Sequence, residues 1–183
     1  MLIAASTGGP APLEAIVSSI NPSFNATIII AQHMGDEFIP SFTHRLEQKS
    51  PIPLLQSSDN LEIKNSTIYV VSKDSTIQTT SRGVYFSVKN NTTSRFNPDI
   101  DTLFLSAVDL TPKYDFLTVI LSGIGHDGVN GAVALAQKGV KCLAANMDSC
   151  VVYGMSARAS ERVSGVEVLS LESIIKKILS FGA

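Results

Sequence analysis

Short apolar runs recur along this chain, each ending in a polar loop and each followed by a segment of helical period, and that alternation constrains the kind of sheet it can build. Leu2 to Ala5, Ala26 to Ala31, Phe116 to Leu121 and Val140 to Ala144 read as strands. The Leu-Thr-Val-Ile-Leu run within the third is apolar enough for burial on both faces. Among the helical segments, Pro12 to Ile20 puts Leu13, Ile16, Val17 and Ile20 on one face. Asp36 to Lys49 aligns Phe38, Ile39, Phe42 and Leu46, with Arg45 and Glu47 off the stripe. Pro98 to Leu110, Gly128 to Gln137, Tyr153 to Arg162 and Leu171 to Leu179 read as further helices. This order predicts an α/β fold: a doubly wound, mostly parallel sheet with helices on both faces. Thr67 to Val71, Thr76 to Thr79 and Val84 to Val88 read as short strands, and Ser81-Arg82-Gly83 suits a turn between the last two, so an antiparallel hairpin insertion is expected. Asn90 to Ser94 breaks the pattern without forming a linker, so residues 1–183 are expected to form one domain.

Composition narrows the function classes. At 183 residues with 44% hydrophobic and 16% charged side chains, the chain has the material for a packed core. A net charge of −2 gives no general attraction for nucleic acid or anionic lipid, and the absence of Trp weakens any base-stacking reading. No apolar stretch reaches the roughly 18 residues a bilayer span needs, and no basic, then apolar, leader opens the chain. No direct membrane insertion is expected, and the reading is cytoplasmic. Cys142 and Cys150 form no Cys-x-x-Cys pair and have no histidine at zinc-ligand spacing, so reduced thiols are expected, with no metal and no cofactor.

Three strand ends carry the polar residues worth weighing. The first delivers Ser6 and Thr7 into Gly8-Gly9-Pro10 at a helix start, the second ends in Gln32-His33-Met34, and the third in Gly123-Ile124-Gly125-His126-Asp127-Gly128. Each residue has a plainer explanation. A serine or threonine before Gly-Gly caps helices or cradles anions, and a lone loop histidine is usually just hydrogen-bonded. His44 falls on the solvent side of its helix, and Met34 is expected to pack. Together, however, a hydroxyl, an imidazole and a carboxylate are the inventory of acyl transfer, provided the three strands are neighbours. In that chemistry imidazole takes the serine proton, the acid fixes the imidazole tautomer, and backbone amides near Gly8, Gly9 and Ile124 can face the developing oxyanion. A competing reading is a dinucleotide site. Gly123-x-Gly125-x-x-Gly128 follows a strand, opens a helix and has Asp148 about 20 residues on. Against it, the Asp127 carboxylate would repel a pyrophosphate.

The ordered set Ile3 to Gly9, Ala31-Gln32-His33-Met34, Pro98 to Phe104, Ser122 to Gly128 and Ser149 to Met155 resembles the catalytic domain of the bacterial chemotaxis-receptor methylesterases, the CheB family, over nearly the whole chain. The resemblance implies a protein-glutamate methylesterase that removes methyl groups from glutamyl esters on the cytoplasmic helices of methyl-accepting chemotaxis receptors, releasing methanol, with receptor glutamine deamidation as a second activity. It implies Ser6 as nucleophile, His33 as general base and Asp127 as the orienting carboxylate, with Thr7 and the Ile124 N–H stabilising the oxyanion. It also implies a catalytic domain without the phosphoacceptor receiver domain that many members carry.

The departures are specific. Ile124 stands where the family usually has methionine, His126 adds a rival imidazole, Ser156 replaces a common proline, and the basic stretch before Pro-x-x-Asp is thinned to Arg95. The thinned stretch keeps open a second reading, a homologue that binds receptors without turnover. Neither reading fixes an oligomeric state.

Overall fold

The computed structural model describes residues 1–89 and 97–183; the Asn90 to Ser94 break and Arg95 lie outside the described residues. Seven strands form one parallel sheet: β1 (Leu2–Ala5), β2 (Ile28–Gln32), β3 (Leu54–Gln56), β4 (Ile68–Val71), β7 (Leu117–Ile120), β8 (Lys141–Ala145) and β9 (Glu167–Leu169). The order across the sheet is β3-β4-β2-β1-β7-β8-β9, with every pairing parallel. Between β4 and β7 in sequence, β5 (Ser75–Thr80) and β6 (Gly83–Val88) pair antiparallel as a separate hairpin turning at Ser81 and Arg82. Among the described residues the α-helices are α1 (Pro10–Ser19), α2 (Ile39–Glu47), α3 (Ile100–Ser106), α4 (Val129–Gln137), α5 (Met155–Arg162) and α6 (Leu171–Phe181).

Strand alternation assigns each side chain to one of two cores. Ile3, Ala5, Ile28, Ile30, Val119 and Leu121 face Leu13, Ile16 and Val17 of α1, Phe42 and Leu46 of α2, and Ile174 and Ile178 of α6. Leu2, Ala4, Ile29, Ala31 and Ile120 point the other way, onto Leu103 and Phe104 of α3, Val129, Ala132 and Leu135 of α4, Met155 of α5, and the hairpin residues Ile77 and Phe86. The apolar run of β7 is therefore buried on both faces, as helices covering both sides of a parallel sheet require.

Several boundaries differ from the sequence reading for local reasons. The Pro98 to Leu110 segment is α3 plus a separate 3₁₀ turn, Val108–Leu110, after a break at Ala107. Phe38 leaves the expected stripe of α2, because the helix starts at Ile39 and Phe38 stands exposed at its N-cap position. The edge strands β3 and β9 went unread. Each is three residues long, and of the three residues in each only Leu54 is fully buried, so their apolar signal is weak. The two cysteines are unpaired, Cys142 buried and Cys150 half-buried.

Sheet order decides where chemistry can sit. From β1 the chain first builds outward through β2 to β4 and β3, then returns to lay β7, β8 and β9 on the other side of β1. The β1/β7 crevice is thus the topological switch point, and its carboxyl edge is the usual place for a ligand in such sheets. That edge depends on α3 being packed down over α4. There the Phe104 side chain is buried, and a Cβ on Gly131 would lie 2.3 Å from the Phe104 Cβ. Phe104→Ala should cost about 3–5 kcal/mol in urea unfolding at pH 7. A loss under 1 kcal/mol would mean that this helix contact does not hold the edge together.

Candidate functional site

Ser6 is the first residue beyond β1. Its N–H donates to the Ser122 carbonyl across the switch point (2.9 Å), and its carbonyl accepts from the Gly9 N–H (2.8 Å), which turns the chain sharply into α1. Gly8 makes that turn with φ +82°, and a Cβ there would lie 2.5 Å from the Val151 Cβ, so the position demands glycine twice over. His33 follows β2, its N–H donating to the Ala5 carbonyl (2.9 Å). Asp127 comes from the loop between β7 and α4.

These three side chains, from strands adjacent in the sheet, form a line. His33 Nδ1 lies 3.3 Å from Ser6 Oγ, and His33 Nε2 lies 2.7 Å from Asp127 Oδ2. A carboxylate accepts only, so Nε2 carries the proton and Nδ1 is left as the acceptor for the serine hydroxyl. Ser6 and Asp127 are buried, while the His33 ring keeps 13% of its surface. Burial opposes the charge on Asp127. The hydrogen bond from His33 and those from the N–H groups of Ile100 and Asp101 outweigh it, so its carboxyl sits below the ordinary carboxylate value.

The anchoring of Asp127 is mostly backbone. Oδ2 accepts from Ile100 N–H (2.9 Å) as well as from His33, and Oδ1 accepts from Asp101 N–H (2.9 Å) and Gly128 N–H (3.0 Å). Gly128 itself takes φ +85° at the entry to α4, a conformation that favours glycine. Asp101 in turn accepts from Gly131 N–H (2.8 Å) and Asn130 Nδ2 (2.7 Å), so α3 and α4 are stitched through their first turns by two carboxylates. Burial raises the Asp101 carboxyl above its ordinary value. This arrangement answers the dinucleotide reading. The Gly128 and Gly131 N–H groups that would meet a pyrophosphate already bind protein carboxylates, and Asp148 stands exposed beyond β8.

The remaining candidates fall on either side of Ser6. Thr7 is exposed in the β1–α1 turn and Ile124 is exposed in the β7–α4 loop. Gly9 is buried, and its N–H is engaged by the Ser6 carbonyl. His126, the rival imidazole, is exposed, while the imidazole between Ser6 and Asp127 belongs to His33. His44 is exposed beside Glu47, and Met34 packs at the margin of the core.

Two positioning groups escaped the sequence reading. Ser122 Oγ donates to the Thr7 carbonyl (2.7 Å) and accepts from Val152 N–H (3.0 Å), tying the loops that follow β1, β7 and β8. Gln32, at the end of β2, is buried and bridges the loops of Ser6 and His33. A glutamine closing an otherwise apolar β-branched strand is the signal that could have found it.

A serine, an imidazole and a carboxylate stand in hydrogen-bonding sequence at the switch point of a doubly wound α/β sheet. The chain matches the CheB methylesterase family over residues 1–178, and it belongs to that family. Its structure superposes on the CheB methylesterase catalytic domain of Thermotoga maritima with a TM-score of 0.90 and 28% identity, covering 98% of this chain and 96% of that one. The protein-glutamate methylesterase/protein-glutamine glutaminase of Bacillus subtilis is 33% identical over 182 residues, 97% of this chain and 51% of that protein. Protein-glutamate methylesterase/protein-glutamine glutaminase 1 of Saccharophagus degradans is 31% identical over 179 residues, 97% of this chain and 49% of that protein. The chain thus spans about half the length of these relatives.

The four donors around Asp127 make it a stability element with a defined pH dependence. Its folded value lies below the ordinary 3.8, so its contribution is fully present above that value and is lost as pH falls through the depressed one. Asp127→Asn would turn an N–H₂ toward donors at one oxygen or the other, and should cost about 2–3 kcal/mol at pH 7 in urea unfolding. The gap to wild type should narrow as pH drops below 3.8. A gap that stays constant from pH 7 to pH 3 would show that the ionised carboxylate is not what the loop binds.

Proposed function

We propose that this chain hydrolyses glutamyl methyl esters on the cytoplasmic helices of chemotaxis receptors, using Ser6 as nucleophile. Glutamine deamidation is a second reaction of the same site. The observation that supports the reading best is the Ser6–His33–Asp127 line inside a fold of the CheB family.

The steps follow from the geometry. Ser6 Oγ attacks the ester carbonyl carbon as His33 Nδ1 takes the hydroxyl proton, and the imidazolium is stabilised through Nε2–H by Asp127. Charge then develops on the former carbonyl oxygen. Its donors are Thr7 and the N–H of Ile124, on the two loops that Ser122 ties together; losing one such donor typically costs roughly 3–4 kcal/mol of barrier. Collapse of the tetrahedral intermediate expels methoxide, which receives the proton from His33 Nδ1 and leaves as methanol. Water, deprotonated by His33 in its turn, cleaves the glutamyl ester on Ser6 and returns the serine hydroxyl. A glutamine side chain follows the same course and releases ammonia.

The Gly9 N–H, engaged by the Ser6 carbonyl, shapes the turn rather than meeting the oxyanion. No helix among the described residues is long and apolar enough to cross a membrane.

Methanol release from a methylated receptor cytoplasmic fragment tests the reading. Ser6→Ala and His33→Ala should each lower turnover by about 10⁴-fold or more. His126→Ala should retain most of it. Wild-type turnover by Ser6→Ala would overturn the mechanism, and dependence on His126 instead of His33 would reassign the base. Receptor binding by the wild type with no methanol released would identify a non-catalytic homologue.

A further inference from the structure

We infer that Gln32 is a positioning residue for the reaction, a side-chain rung that ends the β1–β2 ladder so that Ser6 and Thr7 can leave the sheet while the nucleophile stays in register with its base. This rests on the reading of Ser6 as the nucleophile.

The ladder itself shows where the rung goes. The β1–β2 pairing ends at Ala5 and Gln32, and one more backbone bond follows, His33 N–H to the Ala5 carbonyl. In a continuing parallel pair, the next bond would run from Thr7 N–H to the His33 carbonyl. That carbonyl instead accepts from Gln32 Nε2 at 2.8 Å, and the same nitrogen donates to the Ser6 carbonyl at 2.9 Å. One carboxamide therefore fixes the backbone of both reacting residues. By taking the partner that the ladder would give Thr7, it closes the β1–β2 pairing at Ser6 and His33.

The orientation of the amide is determined by its neighbours. Both acceptors are carbonyl oxygens, so only the N–H₂ end can face them. The other end is left at a disadvantage: Gln32 Oε1 is buried and finds no donor among the described residues. The residue as a whole is 2% exposed. A buried acceptor without a donor destabilises a fold, and exceptions of that kind are worth a functional explanation. Gly9 makes the room for it. A Cβ there would fall 2.2 Å from Gln32 Oε1 and 2.6 Å from the Ala5 Cβ.

The test uses Gln32→Met, which keeps length and burial and removes both donors. With folding verified by its urea unfolding curve, its kcat on the methylated receptor fragment should fall about a hundredfold, the scale of a displacement of about an ångström at a reacting centre. KM should stay within about twofold, since no substrate contact is removed. Its crystal structure should show Ser6 Oγ and His33 Nδ1 separated beyond the 3.3 Å of the wild type. Gln32→Glu retains the shape and at most one donor, so its kcat should fall between the two. Should Gln32→Met fail to fold, the Glu variant decides alone, and wild-type kcat in it overturns the inference.

Folded Gln32→Met with unchanged kcat and an unchanged Ser6–His33 separation also overturns it, as does a loss confined to stability. A wild-type protein that releases no methanol would refute the proposed function. The crystal structure of the variant would still decide what Gln32 does.

Discussion

The interaction on which the rest of this site depends is the grip of the protein backbone on Asp127. A buried carboxylate is costly unless its lone pairs are filled, and here three backbone N–H groups and one imidazole fill them. Those donors come from the start of α3, the start of α4 and the end of β2, so a single side chain gathers elements from both sides of the switch point. The local consequence is that His33 has one stable tautomer, with Nδ1 aimed at Ser6. The wider one is that α3, a seven-residue helix with little stability of its own, is held at its first turn by the group it helps to ionise.

The carboxyl edge of the sheet has the same economy. Ser6, His33 and Asp127 stand at the ends of, or just beyond, three adjacent strands, yet backbone ladders end where strands diverge. At this edge side chains take over the pairing. Ser122 joins the β1, β7 and β8 loops, and Gln32 joins the loops of Ser6 and His33. The glycines fit the same logic. Gly8 and Gly9 are tight because the β8–α5 loop and the Gln32 amide occupy the space a side chain would need.

Much of this was legible in the residues. The apolar runs Leu2 to Ala5, Ala26 to Ala31 and Phe116 to Leu121 predicted buried strands of a mostly parallel sheet, and their polar ends pointed to the three loops that the fold brings together. Fold class and family followed from the order of those motifs. Strands as short as Glu167–Leu169 were not legible, since three residues with one face half-exposed carry no period. The partners of Asp127 were equally hidden. Backbone N–H donors have no sequence signature, so nothing in Pro98-Asp99-Ile100-Asp101 announces that its amides bind a carboxylate 26 residues away. The glycine spacing at Gly123, Gly125 and Gly128 mimicked a phosphate loop for a related reason, because a turn open to an anion looks alike whether that anion is a pyrophosphate or the protein's own Asp127.

The proposed reaction depends on the protonation pattern of one ring, since Ser6 can be activated only if His33 holds its proton on the side of Asp127. Nitrogen-15 NMR of the neutral imidazole in the resting protein reads this directly. The expected result is protonated Nε2 with a strongly downfield proton, bare Nδ1, and collapse of that pattern in Asp127→Asn. A neutral ring protonated at Nδ1 would contradict it, because the nitrogen facing Ser6 would then have no lone pair with which to take a proton.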